Sequence, residues 1–207
     1  MNQDSIFKPK LMVIIVVLII LGGIGYIWMA KSKPQIVSSV NLQAKDVQVL
    51  GREHVPQEEW EKFKYNSNPP TSGSHDEIWT KSGVYKDAQG DGHLVHSLEH
   101  GYIIISHNCG VEASSSAKAS EDKQNSKAGT ESAEMEKECM DFVNKLEELV
   151  KKDSWKMIVI PRPSLDTDFA LTAWGKIDKF DIKDASLDRV NAFIEAFRNH
   201  GPEQTME

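Results

Sequence analysis

The first hydrophobic pattern along the chain is an unbroken run of nineteen uncharged residues, Leu11 to Met29. A bilayer core requires about 20 apolar residues at helical rise, so the run predicts a transmembrane helix over 11–29 after an N-terminal tail of residues 1–10. A cleaved signal peptide is the alternative, although its apolar core is usually only about 7–15 residues long. The bulky Tyr26 and Trp28 favour an uncleaved anchor, because they suit a membrane interface better than a cleavage site.

The charges that flank this run give little information on orientation, since two lysines precede it and two follow it. The short N-terminal tail, and a pair of cysteines that can bond in an oxidising compartment, favour a C-terminal domain outside the cytoplasm. The mostly polar residues 30–50 then form a stalk. We therefore predict a single-pass cell-membrane protein that contacts the lipid bilayer through residues 11–29 and has an extracytoplasmic domain.

Beyond the stalk, two other spacings of apolar residues appear. Short runs rich in β-branched residues, Tyr102–His107 and Trp155–Pro161, predict buried strands, and Phe169–Lys176 predicts a third. Apolar residues at helical spacing predict two amphipathic helices. One begins at Met135, and the other has an apolar stripe from Leu187 to Phe197 and stops at Gly201. This order predicts an α+β fold, a small mixed sheet with two packed amphipathic helices.

Residues 53–92 show neither the helical nor the strand spacing of apolar residues. They are rich in turn formers, as in "NSNPPTSGSH" at 66–75. Trp60 and Trp79 flank this segment, and large aromatic side chains need burial. We therefore expect a long ordered coil that wraps over the core.

The composition changes abruptly at residues 111–134, which contain many small or charged residues and no aromatic ones. Such a segment cannot bury enough apolar surface to offset its loss of conformational entropy, so it is predicted to be a disordered insertion. The predicted extracytoplasmic part is then a single domain of residues 51–110 and 135–202, with a tail of residues 203–207.

The two cysteines are placed to form a structural disulfide. Cys109 follows the first predicted strand, and Cys139 lies on the apolar side of the next helix, so a bond would close the base of the insertion. Closing a loop of about 30 residues stabilises a fold by roughly 3–4 kcal/mol. Two buried free thiols are an alternative. A redox dithiol fits less well, because the cysteines are far from a C-x-x-C spacing.

Histidines provide the candidate chemistry. His96 and His100 are four residues apart and share one side of a helix or a strand, and Leu94–His100 reads as a short helix ended by Gly101. Two such imidazoles can bind one copper or zinc ion, and the coil brings His54 and His75. Ordinary hydrogen-bonded histidines without a metal are the alternative, and the spacing does not decide between the two.

The segment His96, Glu99, His100 also has the His-x-x-Glu-His order of inverted-motif zinc peptidases. That hypothesis is weaker, because those enzymes place the motif within a long helix and Gly101 ends this one early. A zinc-dependent hydrolase therefore remains the least favoured prediction.

Several motifs together resemble the domain-of-unknown-function family 3105: "GREHVP", "YNSNPPTSGSH", "LVHSLEHG", "HNC" and "ALTAWG". The resemblance covers roughly residues 51–202 apart from the insertion. It implies a compact prokaryotic extracytoplasmic domain, often behind one N-terminal membrane anchor. It also implies that four histidines lie in family motifs, namely His54, His75, His96 and His100. The family carries no assigned reaction, so function has to be argued from the site.

These observations predict a membrane-anchored protein that binds one transition-metal ion, copper or zinc, through His75, His96 and His100. His54 or Glu99 is expected as a fourth ligand or as a partner that orients an imidazole. The alternative is a metal-free accessory subunit beside a membrane-protein partner. The net charge of −7 argues against nucleic-acid binding, because no basic surface neutralises phosphates.

Overall fold

The computed structural model describes residues 42–110 and 128–206. The predicted span 11–29, the first part of the stalk and residues 111–127 of the predicted insertion lie outside these ranges. Among the described residues, no helix has both the length and the apolar content that a membrane crossing requires.

The centre of the fold is a mixed sheet of six strands in the order β1-β6-β5-β3-β4-β2. Strands β2, β4 and β3 run parallel, and the β3–β5, β5–β6 and β6–β1 pairs are antiparallel. The strands are β1 Lys45–Asp46, β2 Gly83–Val84, β3 Ile103–His107, β4 Met157–Pro161, β5 Phe169–Ala173 and β6 Lys176–Phe180. The predicted mixed sheet is therefore confirmed, although it has more strands than the sequence pattern suggested.

The predicted third strand, Phe169–Lys176, is in fact the beginning of a hairpin. Strand β5 ends at Ala173, and the chain turns through Trp174 and Gly175 into β6. Gly175 has a φ of +66°, a conformation that glycine adopts without steric cost. The predicted strand is therefore present, but its end was placed three residues too late, because a two-residue turn hardly interrupts an apolar run.

Within residues 42–110 and 128–206, four α-helices and a short 3₁₀ turn, Ile182–Asp184, accompany the sheet. The helices are α1 Gln57–Trp60, α2 Asp91–Glu99, α3 Ala128–Lys152 and α4 Leu187–Phe197. Both predicted amphipathic helices are present, as α3 and α4. Helix α3 begins seven residues before Met135, so residues 128–134, which were predicted to be disordered, are helical.

The two sides of the sheet are covered differently. Helices α3 and α4 pack on one side, where Ile103 and Ile105 of β3 join a large apolar cluster. The next residue along, Ile104, points to the opposite side, because successive strand side chains alternate. There it meets Leu94 and Leu98 of the short helix α2 in a smaller cluster, to which the coil adds Trp79 and Tyr85.

The predicted disulfide is present between Cys109 and Cys139, whose Cα atoms lie 5.5 Å apart. Both residues are buried in the larger apolar cluster. Cys139 is the twelfth residue of α3, far from the helix N-terminus where the dipole lowers a thiol pKa. This position supports a structural role for the bond.

The domain extends beyond the predicted boundaries at both ends. Residues Lys45 and Asp46 of the predicted stalk pair with β6 as an edge strand. In the predicted tail, the Glu203 amide donates to the Glu99 carbonyl, and the Thr205 carbonyl accepts from the Lys156 ammonium. These pairings are non-local, so the local apolar pattern did not indicate them.

Candidate metal centre

Two segments of the coil lie side by side and bring His54 and His75 together. The two residues form a parallel β-bridge. The His75 amide donates to the Glu53 carbonyl at 3.0 Å, and the Val55 amide donates to the His75 carbonyl at 2.8 Å. The coil is thus ordered by backbone hydrogen bonds, as its aromatic flanks predicted, and the two imidazole centroids are 4.7 Å apart.

Helix α2 supplies the other candidate ligands from its last turn. His96 and Glu99 are three residues apart, and His100 caps the helix, so all three side chains share one side. Gly101 follows with a φ of +82°, the left-handed conformation expected after a helix end. Added side-chain bulk at Gly101 would strike the backbone of Asn199, so glycine is also required for close packing.

Four side chains converge on one point: His54, His75, His96 and Glu99. Each offers one ligand atom, and these atoms all lie within 4.8 Å of one another. Glu99 Oε2 is 2.8 Å from His75 Nε2 and 3.6 Å from His54 Nε2. His75, His96 and Glu99 are buried, whereas the His54 side chain is 39% exposed. The cluster therefore opens to solvent on the side of His54.

His100 lies beside this group rather than in it. Its Nε2 is 3.0 Å from Nε2 of His96, and a carboxylate oxygen of Glu203 is 4.0 Å away. The sequence predicted His75, His96 and His100 as the main ligands, with His54 or Glu99 in support. The structure instead groups both His54 and Glu99 with His75 and His96, and places His100 directly behind His96.

Backbone carbonyls orient two of the imidazoles. Nδ1 of His75 is 2.7 Å from the Gly73 carbonyl, and Nδ1 of His96 is 2.7 Å from the Asp76 carbonyl. A carbonyl oxygen only accepts, so each Nδ1 carries a hydrogen and donates it. Nε2 of each ring therefore faces the cluster, the arrangement by which proteins usually orient metal-binding histidines.

Burial lowers the pKa of His96 to about 4. The hydrogen bond to the Asp76 carbonyl opposes this effect, and the nearby His100, His75 and His54 add to it. The His96 imidazole is therefore neutral at neutral pH, with a lone pair on Nε2. Neutral imidazole is the form that binds a metal ion.

Aromatic side chains line the site. The Trp79 ring centroid is 5.5 Å from that of His96 and 4.8 Å from that of His100, and Trp174 approaches His75. These indoles provide apolar surface beside the buried imidazoles. The burial of Trp79 was expected from its place beside the coil, but the contacts of both tryptophans with the histidines depend on tertiary packing and could not be predicted from local pattern.

Arg52 is another site residue that sequence reasoning missed. Its Nη1 lies 3.5 Å from Glu99 Oε1, and its side chain is 59% exposed. Its position two residues before His54 in an extended segment was the available signal, because residues two apart point to the same side. His93 is not part of the cluster: its Nδ1 bonds to the Ile78 carbonyl, and its ring packs on Trp60.

Comparison with known proteins gives one result. The family model described as protein of unknown function (DUF3105) matches residues 54–130 and 134–207. The matched region contains all five candidate ligands and both cysteines. No curated protein and no solved structure matches the chain.

Proposed function

The chain belongs to the DUF3105 family, and on that premise we propose that it binds one transition-metal ion, copper or zinc. The ligands are His54, His75, His96 and Glu99. The observation that carries this proposal is the convergence of four ligand atoms within 4.8 Å of one another, three of them on buried side chains. Buried ionisable groups are costly unless something compensates them, so such a cluster suggests a ligand.

The donor set supports copper or zinc rather than calcium or magnesium. Three imidazole nitrogens and one carboxylate oxygen suit zinc and copper(II), whereas the harder divalent ions prefer oxygen alone. At metal–ligand bonds of 2.0–2.1 Å, the ligand atoms of a tetrahedral site are about 3.3 Å apart. The His75–Glu99 and His54–Glu99 distances of 2.8 and 3.6 Å lie on either side of that value, and all four ligand atoms lie within 4.8 Å of one another. Side-chain movements of about 1.5 Å or less would therefore admit the ion.

His100 has a distinct part in this proposal. Nε2 of neutral His96 accepts a hydrogen bond from Nε2 of His100, and an ion bound to His96 takes that same lone pair. His100 then either turns away or moves its hydrogen to Nδ1 and becomes a fifth donor. In the first case His100→Ala leaves the coordination spectrum of the bound ion unchanged, and in the second it alters that spectrum.

The proposed setting is the extracytoplasmic side of a membrane, with residues 11–29 as a single anchor. The disulfide supports an oxidising compartment. There the protein would acquire copper or zinc, or deliver it to a membrane-protein partner. Protease added to spheroplasts should remove the C-terminal domain, and a domain that stays protected until the spheroplasts are lysed would contradict this topology.

A metal-free accessory role is the second candidate, and one observation favours it. The cluster is already hydrogen-bonded, through the His75–Glu99 contact at 2.8 Å and the His96–His100 contact at 3.0 Å. Such a network satisfies buried polar groups without an ion. Metal analysis separates the two candidates.

A zinc hydrolase has the least support. It would require Glu99 as a general base beside two histidine ligands. Glu99 Oε2 instead lies among the imidazole nitrogens, which favours it as a ligand. If Glu99 were a base, Glu99→Gln would retain the metal and lose turnover.

The decisive experiment is metal analysis of the full-length chain purified in detergent, loaded with Cu²⁺ or Zn²⁺ and then desalted. We expect close to one equivalent in the unaltered protein, and a loss of at least tenfold in affinity in His75→Ala and Glu99→Ala. His93→Ala and His200→Ala are matched controls, because both histidines lie outside the cluster and bond to backbone carbonyls. Metal far below one equivalent after loading, or equal metal in all variants, would exclude the proposal.

A further inference from the structure

Arg52 stands at the open side of the cluster, next to its most exposed ligand. Its guanidinium approaches Oε1 of Glu99 at 3.5 Å, while His54 approaches Oε2 at 3.6 Å. The two side chains therefore reach the same carboxylate from the solvent side. Both side chains are partly exposed, whereas the Glu99 side chain is buried, so a molecule that approaches Glu99 from this side meets His54 and Arg52.

Arg52 differs from the other three arginines of the chain. Arg162, Arg189 and Arg198 each donate hydrogen bonds to an aspartate, with shortest distances of 2.6–2.7 Å. Within the part of the chain that the structure describes, the shortest polar contact of the Arg52 guanidinium is its ion pair with Glu99, at the long distance of 3.5 Å. Its fork of N–H groups is therefore available to a ligand.

We propose that the metal centre takes an exogenous oxyanion, of the carboxylate or phosphate type, as an additional ligand. One oxygen of the anion binds the metal ion beside His54, and a second oxygen accepts hydrogen bonds from Arg52. This inference rests on the proposed function, because the anion binds a metal-loaded site. The chemical class of this ligand follows from the guanidinium group, whose planar fork of N–H donors matches two oxygens of a carboxylate or phosphate.

The test uses the full-length chain in detergent, loaded with one equivalent of Cu²⁺ and placed in an amine buffer without oxyanions. Acetate and inorganic phosphate are titrated separately, and the copper d–d absorption band and the EPR hyperfine splitting are followed. We expect both anions to shift the spectra in a saturable way. The relative affinity for acetate and phosphate then shows whether the site prefers a carboxylate or a phosphate.

Arg52→Gln should weaken oxyanion binding about 10- to 100-fold, because hydrogen bonds to a charged group are lost. Arg52→Lys, which keeps the charge without the fork, should recover part of the affinity. Arg198→Gln is the charge-matched control, and imidazole is the neutral probe, whose affinity should be equal in all three variants. Unchanged oxyanion affinity in Arg52→Gln, or an equal loss for imidazole, would overturn the inference. Failure to bind either Cu²⁺ or Zn²⁺ would instead reject the proposed function.

Discussion

The two sides of the sheet are built on different physical principles. Under helices α3 and α4, aliphatic and aromatic side chains pack against one another, as in the ring contacts of Phe169 with Phe142 and Phe180. On the other side, the coil and helix α2 bury mainly polar groups. The fully or nearly buried ones are Thr71, Ser72, His75, Thr80, His96, Ser97, Glu99 and His100.

The polar side is stabilised by specific hydrogen bonds in addition to the smaller apolar cluster. Ser97 donates to the Thr80 carbonyl, and the Leu50 amide donates to Ser72. The buried ammonium of Lys156 donates to the His100 carbonyl and to the Thr205 carbonyl, so it connects helix α2 to the C-terminal segment. Satisfied polar networks fix one arrangement of side chains. The apolar side thus provides most of the stability, and the polar side holds the imidazoles in position.

The largest expected effect comes from the apolar side. Phe193→Ala removes a fully buried ring from α4 and should lower the free energy of unfolding by about 3–5 kcal/mol. The free energy of unfolding, obtained by denaturant titration, measures this loss. Met135→Ala, at an exposed position of α3, is the control and should change stability by about 0.5 kcal/mol or less. Folded Phe193→Ala should still bind metal, and loss of binding would show that the two sides are not separable.

The disulfide is the next contribution to the apolar side. Replacing Cys109 and Cys139 with alanine should lower the free energy of unfolding by about 3–4 kcal/mol, because the bond restricts a loop of about 30 residues in the unfolded chain. Metal stoichiometry should not change, since both cysteines lie in the helix-covered cluster. Two thiols that alkylate readily in the native, unreduced protein would contradict the bond itself.

The metal tests the polar side directly. An ion that binds the folded state should raise the free energy of unfolding by about 2.7 kcal/mol at a concentration one hundred times its Kd. The same addition should stabilise His75→Ala by about 1.4 kcal/mol or less, because that variant lacks a buried ligand and its affinity is at least tenfold weaker. Thermal unfolding with and without Zn²⁺ measures the effect. Equal stabilisation of His75→Ala and the unaltered chain would mean that the ion binds elsewhere.

The apolar side could largely be predicted from the sequence. Strands β3 and β4 are completely buried runs, and α4 begins at a serine cap, Ser186, whose hydroxyl accepts from the Arg189 amide. Local periodicity and local capping are sufficient for such elements. Strands β1 and β2 have two residues each, which is too short for any period to appear.

The site could be predicted only as far as it is local. The shared side of His96, Glu99 and His100 followed from helical spacing. The pairing of His54 with His75 depends on two coil segments that run in parallel, and no residue pattern within either segment specifies that pairing. His100 was expected among the ligands because spacing identifies a shared side but not the rotation of each ring.

A smaller effect should appear in the pH dependence of stability, through His107 at the end of β3. Burial lowers the pKa of His107, and a hydrogen bond to the Cys109 backbone and the charge of Glu147 oppose this effect. The unfolded chain therefore takes up a proton near pH 6.5, before the folded chain does. Stability from the neutral imidazole is complete above about pH 6.5 and is lost as the pH falls toward the lower folded-state pKa.

The variant His107→Gln isolates this contribution from that of His96, whose lowered pKa acts in the same direction. In metal-free protein, His107→Gln should reduce the slope of unfolding free energy against pH below about 6.5, without removing it. Denaturant unfolding at closely spaced pH values measures both slopes. His200→Gln, at an exposed histidine, is the control and should leave the slope unchanged. Identical slopes in His107→Gln and the unaltered chain would show that His107 titrates alike in the folded and unfolded states, and the acid sensitivity would then belong to the polar side alone.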